Sequence, residues 1–143
     1  EIAASGGNLL LSGAYVGTEL TEGRDSLAIK FASETLHFMH RTGHAVKNGL
    51  FSSTDYGRKW FDLKEEFNTG IHHEMYTVEA PDGLEPAGKE AFTAFRYAEN
   101  NVSAGVAYRG NYKVITFGFP LETITDELVL NKLVKQIADF FIP

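Results

Sequence analysis

The chain has 143 residues, 43% hydrophobic and 22% charged, a composition long enough for one core and short for two. Its formal net charge is −6 and its thirteen Lys and Arg residues are dispersed, with Arg58-Lys59 the one adjacent pair, so no basic stripe follows a phosphate backbone and no nucleic-acid partner is expected. The absence of cysteine excludes disulfides, thiolate nucleophiles and Cys-based metal sites within these residues, and the apolar runs are too short for membrane insertion.

Glu1-Ile-Ala-Ala-Ser5 before Gly6-Gly7 reads as the last turn of a helix with glycine at its C-cap, as expected of the C-terminal part of a longer polypeptide and an N-terminally truncated domain. Asn8-Leu-Leu-Leu-Ser12 is a short continuous apolar run between glycines and predicts a strand buried on both faces, as in a parallel sheet covered by helices. Leu27, Ala28, Phe31 and Ala32 recur at helical spacing and predict a helix from about Asp25 to about Glu34.

From about residue 35 to 109 the texture becomes short alternating segments rich in Phe, Tyr, Val and Thr, broken at Thr42-Gly43, Asn48-Gly49, Asp82-Gly83 and Asn100-Asn101. A β-rich insert follows, with strands over Leu36 to Arg41, His44 to Ser52, Phe61 to Phe67, Met75 to Glu79, Ala91 to Ala98 and Ser103 to Tyr108. Residues 112–118 read as a buried strand that delivers Glu122 to a loop. A terminal helix then places Leu130, Leu133, Val134, Ile137, Phe140 and Phe141 on one face, with Thr125 as N-cap and Asp126 and Glu127 in the first turn.

Gly6-Gly-Asn-Leu-Leu-Leu-Ser-Gly-Ala-Tyr-Val-Gly17 and Tyr112-Lys-Val-Ile-Thr-Phe-Gly-Phe-Pro-Leu-Glu-Thr-Ile124 resemble the class I glutamine amidotransferase-like, flavodoxin-like domains of secreted proteins from Gram-negative anaerobes, often labelled xanthan lyases or linked to cell-wall amidases. Ala80-Pro81-Asp82-Gly83-Leu84 and Ser103-Ala-Gly-Val-Ala-Tyr108 extend the resemblance over most of the chain. It implies an α/β fold, a flavodoxin-like sheet flanked by helices with the β-rich insert added, and an exported bacterial protein. Active relatives use a cysteine at a strand-to-helix elbow, a histidine base and a nearby glutamate. Here the segment resembling that His-Pro-Glu run reads Phe119-Pro120-Leu121-Glu122, so the base is replaced by an aromatic ring. The family's nucleophile would lie before Glu1.

Two sets of side chains remain as candidates. If acid/base chemistry exists, His72 or His73 facing Glu122 is the economical pairing, because histidine titrates near neutrality and a carboxylate orients it. The other reading of Glu122 is a carboxylate that serves backbone donors near the last helix. Tyr56 and Trp60 lie in the polar stretch 52–60 and are the aromatics expected to be exposed for stacking on a ligand, while Ser12 and Gly13 form a small-residue loop that a ligand could approach. His37, His40 and His44 have a helical spacing, but Thr42-Gly43 breaks such a helix, so no metal site and no cofactor are expected. The preferred function is a non-catalytic accessory or interaction module working with other domains of its parent and a glycan or cell-wall ligand. The alternatives are a polysaccharide hydrolase or lyase, and an oligomerisation element that pairs with its own copy.

Overall fold

The computed structural model describes residues 6–21 and 25–142. The expected opening turn of residues 1–5 lies outside them. The described chain is dominated by a curled six-stranded mixed sheet in the order β1-β8-β7-β6-β3-β4, formed by β1 (Asn8–Ser12), β3 (Leu50–Ser53), β4 (Lys64–Glu66), β6 (Ala91–Tyr97), β7 (Ser103–Arg109) and β8 (Lys113–Phe117). A two-stranded sheet pairs β2 (Phe38–Thr42) with β5 (Gly83–Pro86). Two six-residue helices, α1 (Val16–Thr21) and α2 (Ser26–Phe31), precede a π-helical turn over Ala32–Leu36, and α3 (Glu127–Phe141) closes the chain.

This architecture corrects the expectation of a flavodoxin-like, amidotransferase-like sheet flanked by helices. Among the described residues parallel pairing is confined to β1 with β8, and every other ladder is antiparallel. The physical reason begins at β1, an edge strand whose Leu10 is 40% exposed rather than covered on both faces. The β-rich segment is not an insert in a helix-covered sheet. It supplies β7, β6, β3 and β4, most of the sheet itself.

Both faces of the sheet are covered, by different means. On one, Phe51, Phe61, Phe67, Phe95, Phe117 and Phe119 gather with Leu133, Ile137 and Phe140 of α3 into an aromatic core. Phe119, at the position where the resemblance would put histidine, is fully buried and stacks on Phe67 at 4.4 Å. A second cluster joins Leu36, Phe38 and Leu84 to Val106, Tyr108 and Val114.

Local chemistry decides several elements. Asp126, not Thr125, caps α3, its Oδ1 accepting from the N–H groups of Leu128 and Val129. The expected helix over residues 25–34 ends early as α2 and passes into the π turn, which stops where His37 takes the left-handed φ of 62°. Met75 to Glu79 form no strand. The Asn68 amide donates to Gly70 O and Tyr76 O, and the Val78 N–H donates to Asn68 O, which closes residues 68–78 into a loop.

Candidate functional site

An aromatic platform lies at the end of β3. Thr54 fixes its base, because its N–H donates to Ala94 O, its hydroxyl donates to Thr93 O at 2.8 Å, and the same oxygen accepts from Gly57 N–H. A Cβ at Gly57 would lie 2.5 Å from Ala94 O, so glycine lets the turn press against β6. The short 3₁₀ turn Gly57–Lys59 then projects Tyr56, while Trp60 folds back onto the sheet. Trp60 packs tilted on Phe92 at 5.1 Å and edge-on to Phe140 at 5.7 Å, and Tyr56 stands edge-on to Phe92 at 4.8 Å and to Trp60 at 5.5 Å. Tyr56 stays 51% exposed. It borders a shallow cavity of about 270 Å³ with Lys89, Glu90, Ala91 and Phe92.

Cations frame these rings. Lys59 Nζ sits 4.2 Å from the centre of the Tyr56 ring and the Arg109 guanidinium carbon 5.4 Å from that of Trp60, where the negative ring faces attract positive charge. Tyr56 and Trp60, singled out in sequence, are thus in direct contact. Phe92, Lys89 and Arg109 were missed, because only the pairing of β3 with β6 and β6 with β7 brings them alongside.

His72 and Glu122 border one cleft of about 400 Å³, with Glu74, Met75, Thr125 and Glu127. Both side chains are exposed, and they share no hydrogen bond. His72 and His73 lie on the 68–78 loop, and their rings stack at 4.9 Å. His72 Nδ1 accepts from the Glu74 N–H, and His73 Nε2 lies 3.7 Å from Glu74. The cleft is strongly acidic, with one imidazole against three carboxylates at its lining. Ser12 Oγ accepts from Leu121 N–H at 3.4 Å, and a Cβ at Gly13 would meet Val16, which makes that segment a packed connection between β1 and α1.

A buried polar cluster escaped sequence reading. Asp82 is fully buried and accepts from the Thr18 hydroxyl at 2.7 Å, Gly17 N–H at 2.8 Å and Thr18 N–H at 3.4 Å. His40 Nε2 is 3.3 Å from Thr18 Oγ1 and 3.5 Å from Asp82 Oδ1. Burial pushes the Asp82 carboxyl up, while the Thr18 hydroxyl, the two N–H groups and His40 pull the other way. Tyr97 donates to Asp82 O, and burial followed by the Asp82 charge pushes its phenol well above the usual range.

His40 also borders an apolar cavity of about 230 Å³ with Thr21 and Ser33. Those hydroxyls donate to Gly17 O and Lys30 O, and the His40 imidazole instead faces Thr18 and Asp82. The cluster is an anchor for α1.

His37 belongs to a third arrangement. Its ring stacks on Tyr108 at 3.6 Å, Nε2 lies 2.8 Å from the Tyr112 hydroxyl, and Nδ1 lies 3.3 Å from Ala87 O. His37 and His40 therefore serve different partners. Among the described residues no group of three or more His, Asp or Glu side chains is arranged to hold a metal ion, and no helix is long and apolar enough to cross a membrane.

The fold and these surfaces define a β-rich α+β unit with an exposed aromatic platform. No family model and no curated protein matches the sequence. Among solved structures it is similar to a segment of the exo-β-1,4-mannosidase Op5Man5 from Opitutaceae bacterium strain TAV5, with a TM-score of 0.50 and 15% identity over 94% of this chain. The match spans 19% of that enzyme's length, and at this identity the likeness is one of fold.

Proposed function

We propose that this chain is a non-catalytic, glycan-binding accessory segment of an exported bacterial polysaccharide-processing protein. The observation that carries the reading is Tyr56, half exposed yet locked against Trp60 and Phe92 beside a cavity with polar side chains at its edge. The C–H face of a pyranose ring complements the negative face of an aromatic, and rigid rings lose little entropy on binding. The fold likeness supports this only by analogy: a segment of this shape occurs within a chain named as an exo-β-1,4-mannosidase.

Calorimetric titration with soluble oligosaccharides tests the proposal. Saturable binding by the wild type that Tyr56→Ala weakens by about tenfold or more, with unchanged thermal unfolding, is the expected outcome. Equal affinities, or no binding to any glycan, would overturn it.

The cleft shared by His72 and Glu122 favours a second reading, a hydrolase or lyase acting on the same class of polymer. Loss of turnover in Glu122→Gln with retained glycan binding would select that reading; no turnover in the wild type would eliminate it.

A further inference from the structure

We infer, building on the glycan-binding reading above, that the saccharide taken at the Tyr56 platform is acidic. Its anionic substituent, a uronate carboxylate or a sulfate ester, would sit among Lys59, Lys89 and Arg109 while a sugar ring lies against the aromatic side chains. The chain carries a net charge of −6, yet three cations gather at this one aromatic surface. Several other cations of the protein are engaged: Lys30 with Glu34, Arg41 with Glu85, Arg58 with Asp55, and Lys113 with the carbonyls of Phe140 and Ile142. Lys59, Lys89 and Arg109 form no ion pair and donate no side-chain hydrogen bond among the described residues. Their donors are open to a ligand.

Glu90 is the one carboxylate among the residues that line the cavity, and its charge opposes an anion there, so the three cations must outweigh it. A Cβ at Gly110 would lie 2.6 Å from Glu90 Oε2 and would overlap the Tyr108 hydroxyl, so the Glu90 head sits toward Gly110 and Tyr108. The Tyr108 phenol is pushed up by burial and then by this carboxylate, in keeping with that proximity. Lys59 and Arg109 meanwhile lie over ring faces, which holds their charge beside the stacking surface, and the planar Arg109 fork matches a carboxylate or sulfate edge.

The test compares hexagalacturonate with its methyl ester, which keeps the sugar rings and removes the charge, and a sulfated galactan oligosaccharide with its desulfated counterpart. The inference expects one anionic member to bind the wild type at least about tenfold tighter than its neutral twin, with that advantage shrinking as salt is raised. Lys89→Gln should lower the anionic-to-neutral ratio several-fold without changing thermal unfolding, and Arg109→Gln should do the same. Whichever anionic oligosaccharide shows the advantage identifies the substituent. Equal binding of anionic and neutral twins would overturn the acidic assignment and leave glycan binding standing. No binding of any of the four, or of any other glycan, would overturn both.

Discussion

Thr18 and Asp82, 64 residues apart in sequence, are joined by a 2.7 Å hydrogen bond from the Thr18 hydroxyl to Asp82 Oδ1 that ties α1 to the residue preceding β5. The same carboxylate accepts from the N–H groups of Gly17 and Thr18, so one side chain holds the start of a helix only six residues long. Removing it leaves buried donors without partners. Asp82→Ala should destabilise the chain by about 2 to 3 kcal/mol, and Asp82→Asn by less because one acceptor oxygen remains. Urea unfolding measures both; an Asp82→Ala variant as stable as the wild type would refute the anchoring role.

Burial holds His37 below the ordinary histidine value of 6.5, against opposing pulls from Ala87 O and Glu90. A base whose folded value is depressed binds fewer protons in the native state. Its contribution is therefore present in full above 6.5 and is lost as pH falls through the folded value. The stability difference between wild type and His37→Gln should shrink as pH drops below 6.5, read from urea midpoints at several pH values. A difference that grows on acidification would show the opposite sign.

Placing a histidine at position 119 should damage the protein without creating a base. Phe119 is fully buried between Phe67 at 4.4 Å and Phe51 at 4.7 Å, where an imidazole would find apolar rings instead of hydrogen-bond partners. Phe119→His should cost about 3 to 5 kcal/mol, and Phe119→Leu distinctly less. Chemical denaturation of the pair distinguishes a core role from a tolerated surface position, at which both changes would be nearly neutral.

The buried stripe of α3 is narrower than its apolar residues suggest. Leu133 is fully buried, whereas Val134 is 52% exposed. Leu133→Ala should cost about 2 to 5 kcal/mol, while Val134→Ser should stay within about 0.5 kcal/mol. Similar losses at the two positions would place Val134 against a partner surface.

What could be read from sequence followed the range of the forces involved. Ala91–Tyr97 and Ser103–Arg109 were visible because alternation and turn residues act locally, and the periodicity of α3 was visible for the same reason. Residues 44–49 and 75–79 carried strand-like composition but not strand structure. His44 adopts a φ of 49°, and Asn68 holds the later loop through side-chain bonds that compete with a ladder. The strand over residues 8–12 was expected inside a helix-covered parallel sheet, but neither its pairing with β8 nor its edge position was legible, because strand order depends on pairings more than a hundred residues apart.

The same division holds for the sites. Tyr56 and Trp60 stood out as aromatics within a polar stretch, whereas Asp82 gave no local sign that its partners lie 64 and 65 residues away. Gly118 is a further case. A Cβ there would overlap Asp82 O and come within 2.9 Å of the Tyr97 hydroxyl, so this glycine, just past the end of β8, serves the close approach of the Asp82 loop.

The most direct measurement uses the single tryptophan of the chain, Trp60, which lies inside the proposed site. Its fluorescence should change saturably when the protein is titrated with an acidic oligosaccharide, and Tyr56→Ala should shift the midpoint to about tenfold higher concentration. A Trp60 signal unmoved by ligands that calorimetry shows to bind would place the glycan elsewhere and contradict the account.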